Sequence, residues 1–291
     1  MRPTRIPGEL ARIAARYTAF ATDEARDASA IYERLALATA SSPVLLEFLA
    51  TLPADRRQPN LFLAAIRHLH GVPDTIDRLT EIVRHDDRRV RALMLSRTTQ
   101  TNEPARCAVL LPLLAQLPQP LALIEVGASA GLCLLPDRYG YDYGAARIGP
   151  ADDQAPVFEC QARGAVPVPA AIPRIVWRRG LDLNPNDLRS DDDVAWLETL
   201  VWPGRETRAR NLRLAIDIAR RDPPQIALGD LRWDLAPLIA AAPREAPSVF
   251  PAFASVAPPA AAPGLFLLMR DGVPVAWAGP HGQSIDWFGS P

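Results

Sequence analysis

Apolar residues recur at the helical period through the first third of the chain, at Leu10, Ile13, Ala14 and Tyr17 and again at Ile31, Leu35 and Ala38. Ser41-Ser42-Pro43 marks a further helix start, with a serine cap ahead of a first-turn proline, and that helix runs from 43 to 51, before Leu52-Pro53. Asn60 is the expected cap of LFLAAIRHLH, which Gly71 and Pro73 close. A helix over 74–97 follows. Thr101-Asn102-Glu103-Pro104 then opens ARCAVLLPLLAQL, interrupted at Pro112. Residues 1–118 therefore read as an all-helical N-terminal domain, and Leu117-Pro118-Gln119-Pro120 as the junction to a second domain over 119–291.

From residue 121 the pattern changes to strand, turn and helix. The run LALIEV is continuously apolar up to Glu125, as expected of a strand buried on both faces. Gly127 and Gly131 follow, separated by Ala128, Ser129 and Ala130, and a short helix is expected before Pro136. Residues 139–174 are rich in Pro and Gly with short β-like runs, and read as an insertion covering the edge of a sheet. Tyr139, Tyr141 and Tyr143 alternate within it and would share one face of a strand, a packing role more than a substrate-stacking one. Ile175-Val176-Trp177 leads a strand into Asp182. Asp191 to Asp193 open a helix through VAWLETLVW, and ETRARNLRLAIDIARR stripes Leu212, Ala215, Ile216 and Ala219 along one helix face. Gln225 to Leu228 form a strand ending in Gly229-Asp230, APSVF (246–250) another, and GLFLLMR, VPVAWA and SIDWF the last strands, the first two joined at Asp271-Gly272.

A buried strand entering a small-residue turn and then a helix brings backbone close to a ligand, beyond the carboxyl end of the strand. The bland alternative is that the two glycines only let a helix pack on its strand. The spacing is G-x-x-x-G, so it lacks the dinucleotide pattern G-x-G-x-x-G, and the phosphate loop needs a lysine after its second glycine. No lysine occurs in the 291 residues, which also excludes Schiff-base chemistry and lysine-bound pyridoxal phosphate. The formal net charge of −1 provides no basic field for nucleic acid or acidic lipid, and the arginines of 205–221 read as the solvated side of a helix. Cys107, Cys133 and Cys160 are odd in number with no C-x-x-C, as expected of buried thiols in a reducing cytoplasm. His68, His70, His85 and His281 form no ligand set, so no metal is expected. No apolar run approaches the ~18 residues of a membrane span, and MRPTRIPGEL leads straight into charged helical sequence, unlike a signal peptide.

EVGASAG resembles motif I of class I S-adenosylmethionine methyltransferases, acid-x-Gly-x-Gly-x-Gly: Glu125, Gly127 and Gly131 match, and Ser129 replaces the middle glycine. RQPN (57–60), TQTNE (99–103), EVGASAGL (125–132), DRYGYDYG (137–144), WRRGLDLNP (177–185), LVWP (200–203) and GD (229–230) together resemble the bacterial domain of unknown function 2332 family over nearly the whole chain. The resemblance implies an α/β fold: a methyltransferase-like Rossmann sheet with a helical N-terminal extension and a β-rich insertion. It implies S-adenosylmethionine held by Glu125, Gly127, Ser129, Gly131, Asp182 on the ribose hydroxyls and Asp230 near the adenine amine, with a small-molecule substrate. Asp142 is the alternative ribose acid by spacing. Asp182 and Asp230 equally suit capping, and Asn102 and Glu103 suit either the pocket or a helix cap. Family members continue after the fourth strand with a polar His-Ser segment, a helix and a strand, whereas only 14 residues separate Phe250 from Leu265 here; the region His70–Arg84 also looks shortened. Two readings follow: a small-molecule methyltransferase, or a non-catalytic nucleoside-binding or interaction module on the same fold.

Overall fold

The computed structural model describes residues 7–100, 102–150, 154–246, 248–249 and 265–289. The chain is mixed α/β and forms two compact units, one of residues 1–100 with 195–209, the other of 101–194 with 210–291.

The first unit is helical: α1 (Pro7–Ala19) passing into a π-helical stretch (Phe20–Ala25), α2 (Ala30–Ser41), α3 (Pro43–Ala50), α4 (Pro59–His70) and α5 (Ile76–Ser96). Its core gathers Tyr17, Tyr32, Leu35, Leu45, Leu49, Phe62, Leu79, Val90 and Met94. The caps follow the sequence at Ser42, whose hydroxyl accepts from the Leu45 N–H, and at Gly71, whose φ of +77° ends α4. At α4 the expectation fails by two residues. Gln58 is the N-cap and Asn60 lies inside the helix, because Pro59 carries the first-turn φ and has no N–H to satisfy. Residues 195–209 return to this unit: Trp196 is buried in its core and donates its indole N–H to the Thr98 carbonyl at 3.0 Å, while Arg67 donates to the carbonyls of Thr199 and Val201.

The second unit begins with a 3-10 turn (Pro104–Arg106) and α6 (Cys107–Ala115). Helix α6 runs through Pro112, where an interruption was expected. Proline leaves the carbonyl four residues back, that of Ala108, without its helical partner, and the Tyr143 hydroxyl donates to that carbonyl at 2.6 Å. Strand β1 (Leu121–Val126) follows and is buried, as its unbroken apolar run requires.

After β1 the expected helix is absent. Two single 3-10 turns, Leu132–Leu134 and Pro136–Arg138, replace it, because Pro136 stops an α-helix before it completes two turns. Their carbonyls are satisfied by the tyrosine ladder: Tyr139 donates to the Leu132 carbonyl at 2.9 Å and Tyr141 to that of Pro136 at 2.6 Å. All three tyrosines are buried. The insertion supplies β2 (Gly140–Asp142), β3 (Arg147–Ile148), β4 (Val157–Glu159) and β5 (Gln161–Gly164), of which the first three form a small sheet ordered β3-β2-β4.

The chain then enters β6 (Ile175–Asp182), α7 (Asp191–Thr199), α8 (Glu206–Arg221), β7 (Gln225–Leu228), α9 (Leu231–Ala240) and β8 (Ser248–Val249). Strands β7-β6-β1-β8 make a parallel sheet, with Glu125 opposite Gly180 and Asp182 opposite Leu228. Leu212, Ala215, Ile216 and Ala219 are the buried stripe of α8. The C-terminal strands β9 (Phe266–Arg270), β10 (Val273–Ala278) and β11 (Ser284–Trp287) do not extend this sheet. They join β5 in a separate sheet ordered β5-β11-β10-β9, because β11 pairs in parallel with Gln161–Gly164. The shortened segment after Phe250 lies outside the described residues. Among the described residues no helix is long and apolar enough to cross a membrane.

Candidate functional site

Strand β1 delivers the turn 127–131 to the carboxyl edge of the parallel sheet. Gly127, Ser129 and Gly131 all have positive φ, at +72°, +52° and +71°. The two glycines do different work. A Cβ on Gly131 would lie 3.0 Å from Ile226 Cδ1 and from Pro224 Cβ, so this glycine allows close packing of the turn on β7. A Cβ on Gly127 would meet nothing within 4 Å, so its conformation needs glycine while the space on that side is open. Ala128 covers Gly180, whose added Cβ would sit 2.7 Å from the alanine methyl.

Ser129 is a side-chain-bearing residue in the left-handed region, a conformation that persists only when its surroundings over-determine it. They do. Asn102 Nδ2 donates to Ser129 Oγ at 2.6 Å and Asn186 Nδ2 donates to the same oxygen at 2.9 Å. The Asn186 backbone N–H donates to the Ser129 carbonyl at 3.1 Å, and Asn102 Oδ1 accepts the Ala130 N–H at 3.1 Å. Ser129 is 3 % exposed, so its side chain points into the protein and does not occupy the open space beside Gly127.

Asp182, at the end of β6, binds this turn to the neighbouring strand. Its Oδ2 accepts the Ser129 N–H and its Oδ1 accepts the Asn184 N–H, each at 2.7 Å. The remaining turn amides are also committed: Gly127 and Ala128 donate to the Leu181 carbonyl at 2.8 and 3.3 Å, and Gly131 to that of Ala128 at 2.7 Å. Every N–H from 127 to 131 therefore has a protein acceptor, and the turn has no spare amide for a phosphate.

Asp230 sits at the end of the next strand, where the Gly229 N–H donates to the Asp182 carbonyl at 2.9 Å. It caps α9 through the Arg232 N–H at 2.9 Å and pairs with the Arg232 guanidinium at 2.5 Å, whose hydrogen bond holds the carboxyl below its ordinary range. Asp142 accepts the Gly144 N–H at 2.8 Å inside the insertion and takes no part in the cluster around the turn. Glu103 caps the 3-10 turn through the Ala105 N–H at 3.4 Å and faces His281 Nδ1 at 3.4 Å, while Asn102 bonds the turn at Ser129 and Ala130.

Glu125 lies on the sheet face that Ala128 covers, since its partner Gly180 points the same way. Burial pushes its carboxyl well above the usual range, the Cys133 thiol adds to the rise, and Arg106 opposes it. Its Oε2 has no hydrogen-bond partner. The linkage sign follows: an acid raised in the folded state contributes fully below its unfolded value of 4.5, and that contribution is lost as pH rises toward the folded value. The melting temperature of the native protein should accordingly decline above pH 4.5 by more than that of Glu125→Gln, which stays neutral. Parallel pH–melting curves for the two proteins would show that Glu125 is not buried as an acid.

Cys133 and Cys107 are buried free thiols beside this acid; Cys133 is raised first by its hydrogen bond to the Cys107 thiol and then by burial. A groove of about 510 Å³ lined by Gln116, Gln119, Val168, Pro169 and Arg174 opens at the other end of β1, away from the turn. Among the described residues no group of three or more His, Cys, Asp or Glu side chains is placed to hold a metal ion.

The family model described as "Uncharacterized protein conserved in bacteria (DUF2332)" matches residues 14–257. The chain belongs to this family. No curated protein and no solved structure matches it. The DUF2332 match takes in the helical unit from within α1 onward and all four parallel strands, and ends before β9–β11. Three of the sequence blocks that identified the DUF2332 resemblance, around Asn102, Ser129 and Asp182, meet in one hydrogen-bonded cluster. Asn186 was missed by sequence reasoning. Its only signal is its place four residues past Asp182, in the Asn-Pro-Asn turn that leaves β6.

Proposed function

We propose that the α/β unit is a methyltransferase-like Rossmann domain that binds a phosphate-free nucleoside at the carboxyl ends of β1, β6 and β7. The ligand we favour is S-adenosylmethionine, and the reaction is methyl transfer to a small molecule. The observation that carries this reading is the pairing of a fixed carboxylate, Asp182, with open space at Gly127 and a turn whose amides are all engaged. Such a site has acceptors for ribose hydroxyls and no cradle for the phosphates of a dinucleotide or a nucleoside triphosphate. Three other features support it. The parallel strands run third, second, first, fourth across the sheet, the order in which a doubly wound nucleotide-binding sheet passes its switch point. Leu183 and Leu231, 72 % and 56 % exposed, follow Asp182 and sit one residue past Asp230, where apolar faces would flank a base. Ser129 turns its side chain inward, so it leaves the ligand space clear.

In this reading the Asp182 carboxylate accepts the ribose hydroxyls, Gly127 gives the ligand access to backbone, and Asp230 stands on the adenine side. Methyl transfer asks mainly for alignment of donor and acceptor. A second reading, a nucleoside-binding module without catalysis, is favoured by the loss of the α-helix after the turn and by the 14-residue span between Phe250 and Leu265.

Titration with S-adenosylmethionine and with its demethylated product tests the binding. At about 100 times the dissociation constant either ligand should stabilise the protein by about 2.7 kcal/mol, a shift of several degrees in a melting curve. Absence of any shift with both ligands at millimolar concentration would remove the nucleoside site. Binding of both without demethylation of the donor in the presence of small-molecule acceptor pools would favour the second reading.

A further inference from the structure

The Asn102 side chain bonds two consecutive turn residues, Ser129 through its hydroxyl and Ala130 through its N–H. Asn186 closes the other side of Ser129 with its amide and its backbone N–H. Both asparagines are buried, and so is the hydroxyl they share. A serine at φ +52° resists this conformation, and the bonds it makes offset that resistance. What the conformation achieves is specific: it turns the Ser129 N–H onto Asp182 Oδ2 at 2.7 Å. With Asn184 on Oδ1, this fixes the plane of the carboxylate.

We infer that Asn102 and Asn186 are positioning residues of the nucleoside site, clamping Ser129 in its left-handed conformation so that the turn orients Asp182 toward the ribose. This role rests on the nucleoside reading above. The asparagines touch no ligand themselves; they act through Ser129. A glycine at 129 adopts the same φ without strain and needs no clamp. The chain therefore replaces the conformational freedom of a middle glycine with a three-residue hydrogen-bonded lock.

The distinguishing experiment is a double-mutant cycle read as affinity for S-adenosylhomocysteine by calorimetry on the full chain. Asn102→Ala and Asn186→Ala should each weaken binding by about tenfold in the parent. In a Ser129→Gly background the same substitutions should cost no more than about twofold, since the strain they relieve is gone. A purely structural role would lower the melting temperature alike in both backgrounds without this dependence on residue 129. If Asn102→Ala does not fold, Asn186→Ala carries the cycle by itself. Parent-like affinity in the variants, or equal losses in both backgrounds, overturns the positioning role and leaves the nucleoside site standing. No binding by the parent overturns both.

Discussion

Gly127→Val should fold and fail to bind nucleoside, while Gly131→Val should lose much of its fold. Both substitutions force a β-branched residue to φ near +70°, a strain of roughly 1–3 kcal/mol. They differ in what the new side chain meets. At Gly127 the added Cβ meets no atom within 4 Å, so the cost ends there, and the valine projects into the space assigned to the ligand. At Gly131 the added carbon abuts Ile226 and Pro224 at 3.0 Å, which adds an overpacking cost of roughly 1–3 kcal/mol. The sum is a large part of a typical domain stability of about 5–15 kcal/mol. The pair is read by melting temperature and by affinity for S-adenosylhomocysteine on the same preparations. Parent-like affinity in Gly127→Val would show that the open space beside the turn is not where a nucleoside sits.

The second large effect is expected at Asp182. Its carboxylate accepts two backbone N–H groups at 2.7 Å while 8 % exposed. Asparagine has one acceptor oxygen, so Asp182→Asn must aim its NH2 group at one of these donors. The lost charge-assisted bond should cost roughly 1.5–3 kcal/mol of stability, and the turn should loosen with it. Asp182→Asn therefore perturbs fold and site together. The ribose role is separated from the structural one by varying the ligand. The parent should bind a 2′,3′-dideoxy analogue about tenfold or more weakly than the ribonucleoside, whereas Asp182→Asn should bind the two within about threefold of each other. A parent that does not discriminate between the two sugars would leave Asp182 with its turn-holding role alone.

The helical first unit, the strand 121–126 and the stripe of α8 were legible in the sequence because apolar periodicity is a local property of the chain. Glu125, Gly127, Ser129, Gly131 and Asp182 were legible as candidates for the same reason: each stands at the end of an apolar run or within a small-residue turn. Their roles were not. Glu125 and Asp182 are both acids at the ends of apolar runs, yet the first is buried with its carboxyl pushed above the usual range and the second holds the turn as an acceptor of backbone N–H groups. Gly127 and Gly131 have the same φ within a degree, and only the neighbours of each separate an open position from a packed one. Asp230 carries its own arginine two residues on, a pairing visible in sequence only once α9 is known to start there.

The sequence by itself determined the apolar periods of the first-unit helices and of the strand 121–126, and that lysine chemistry and a phosphate loop are excluded. Tertiary structure decided the rest. It ran α6 through Pro112, because a tyrosine 35 residues away supplies the donor for the carbonyl that proline leaves exposed. It replaced the helix after the turn with 3-10 turns held by Tyr139 and Tyr141. It moved the C-terminal hairpin onto β5, and brought Asn102 and Asn186 to opposite sides of Ser129. Apart from the tyrosine contacts to Leu132 and Pro136, which span seven and five residues, each of these outcomes depends on a hydrogen bond between residues far apart in the chain. A local pattern can show that a donor or acceptor exists; which partner satisfies it is settled only when the fold brings the two within about 3 Å.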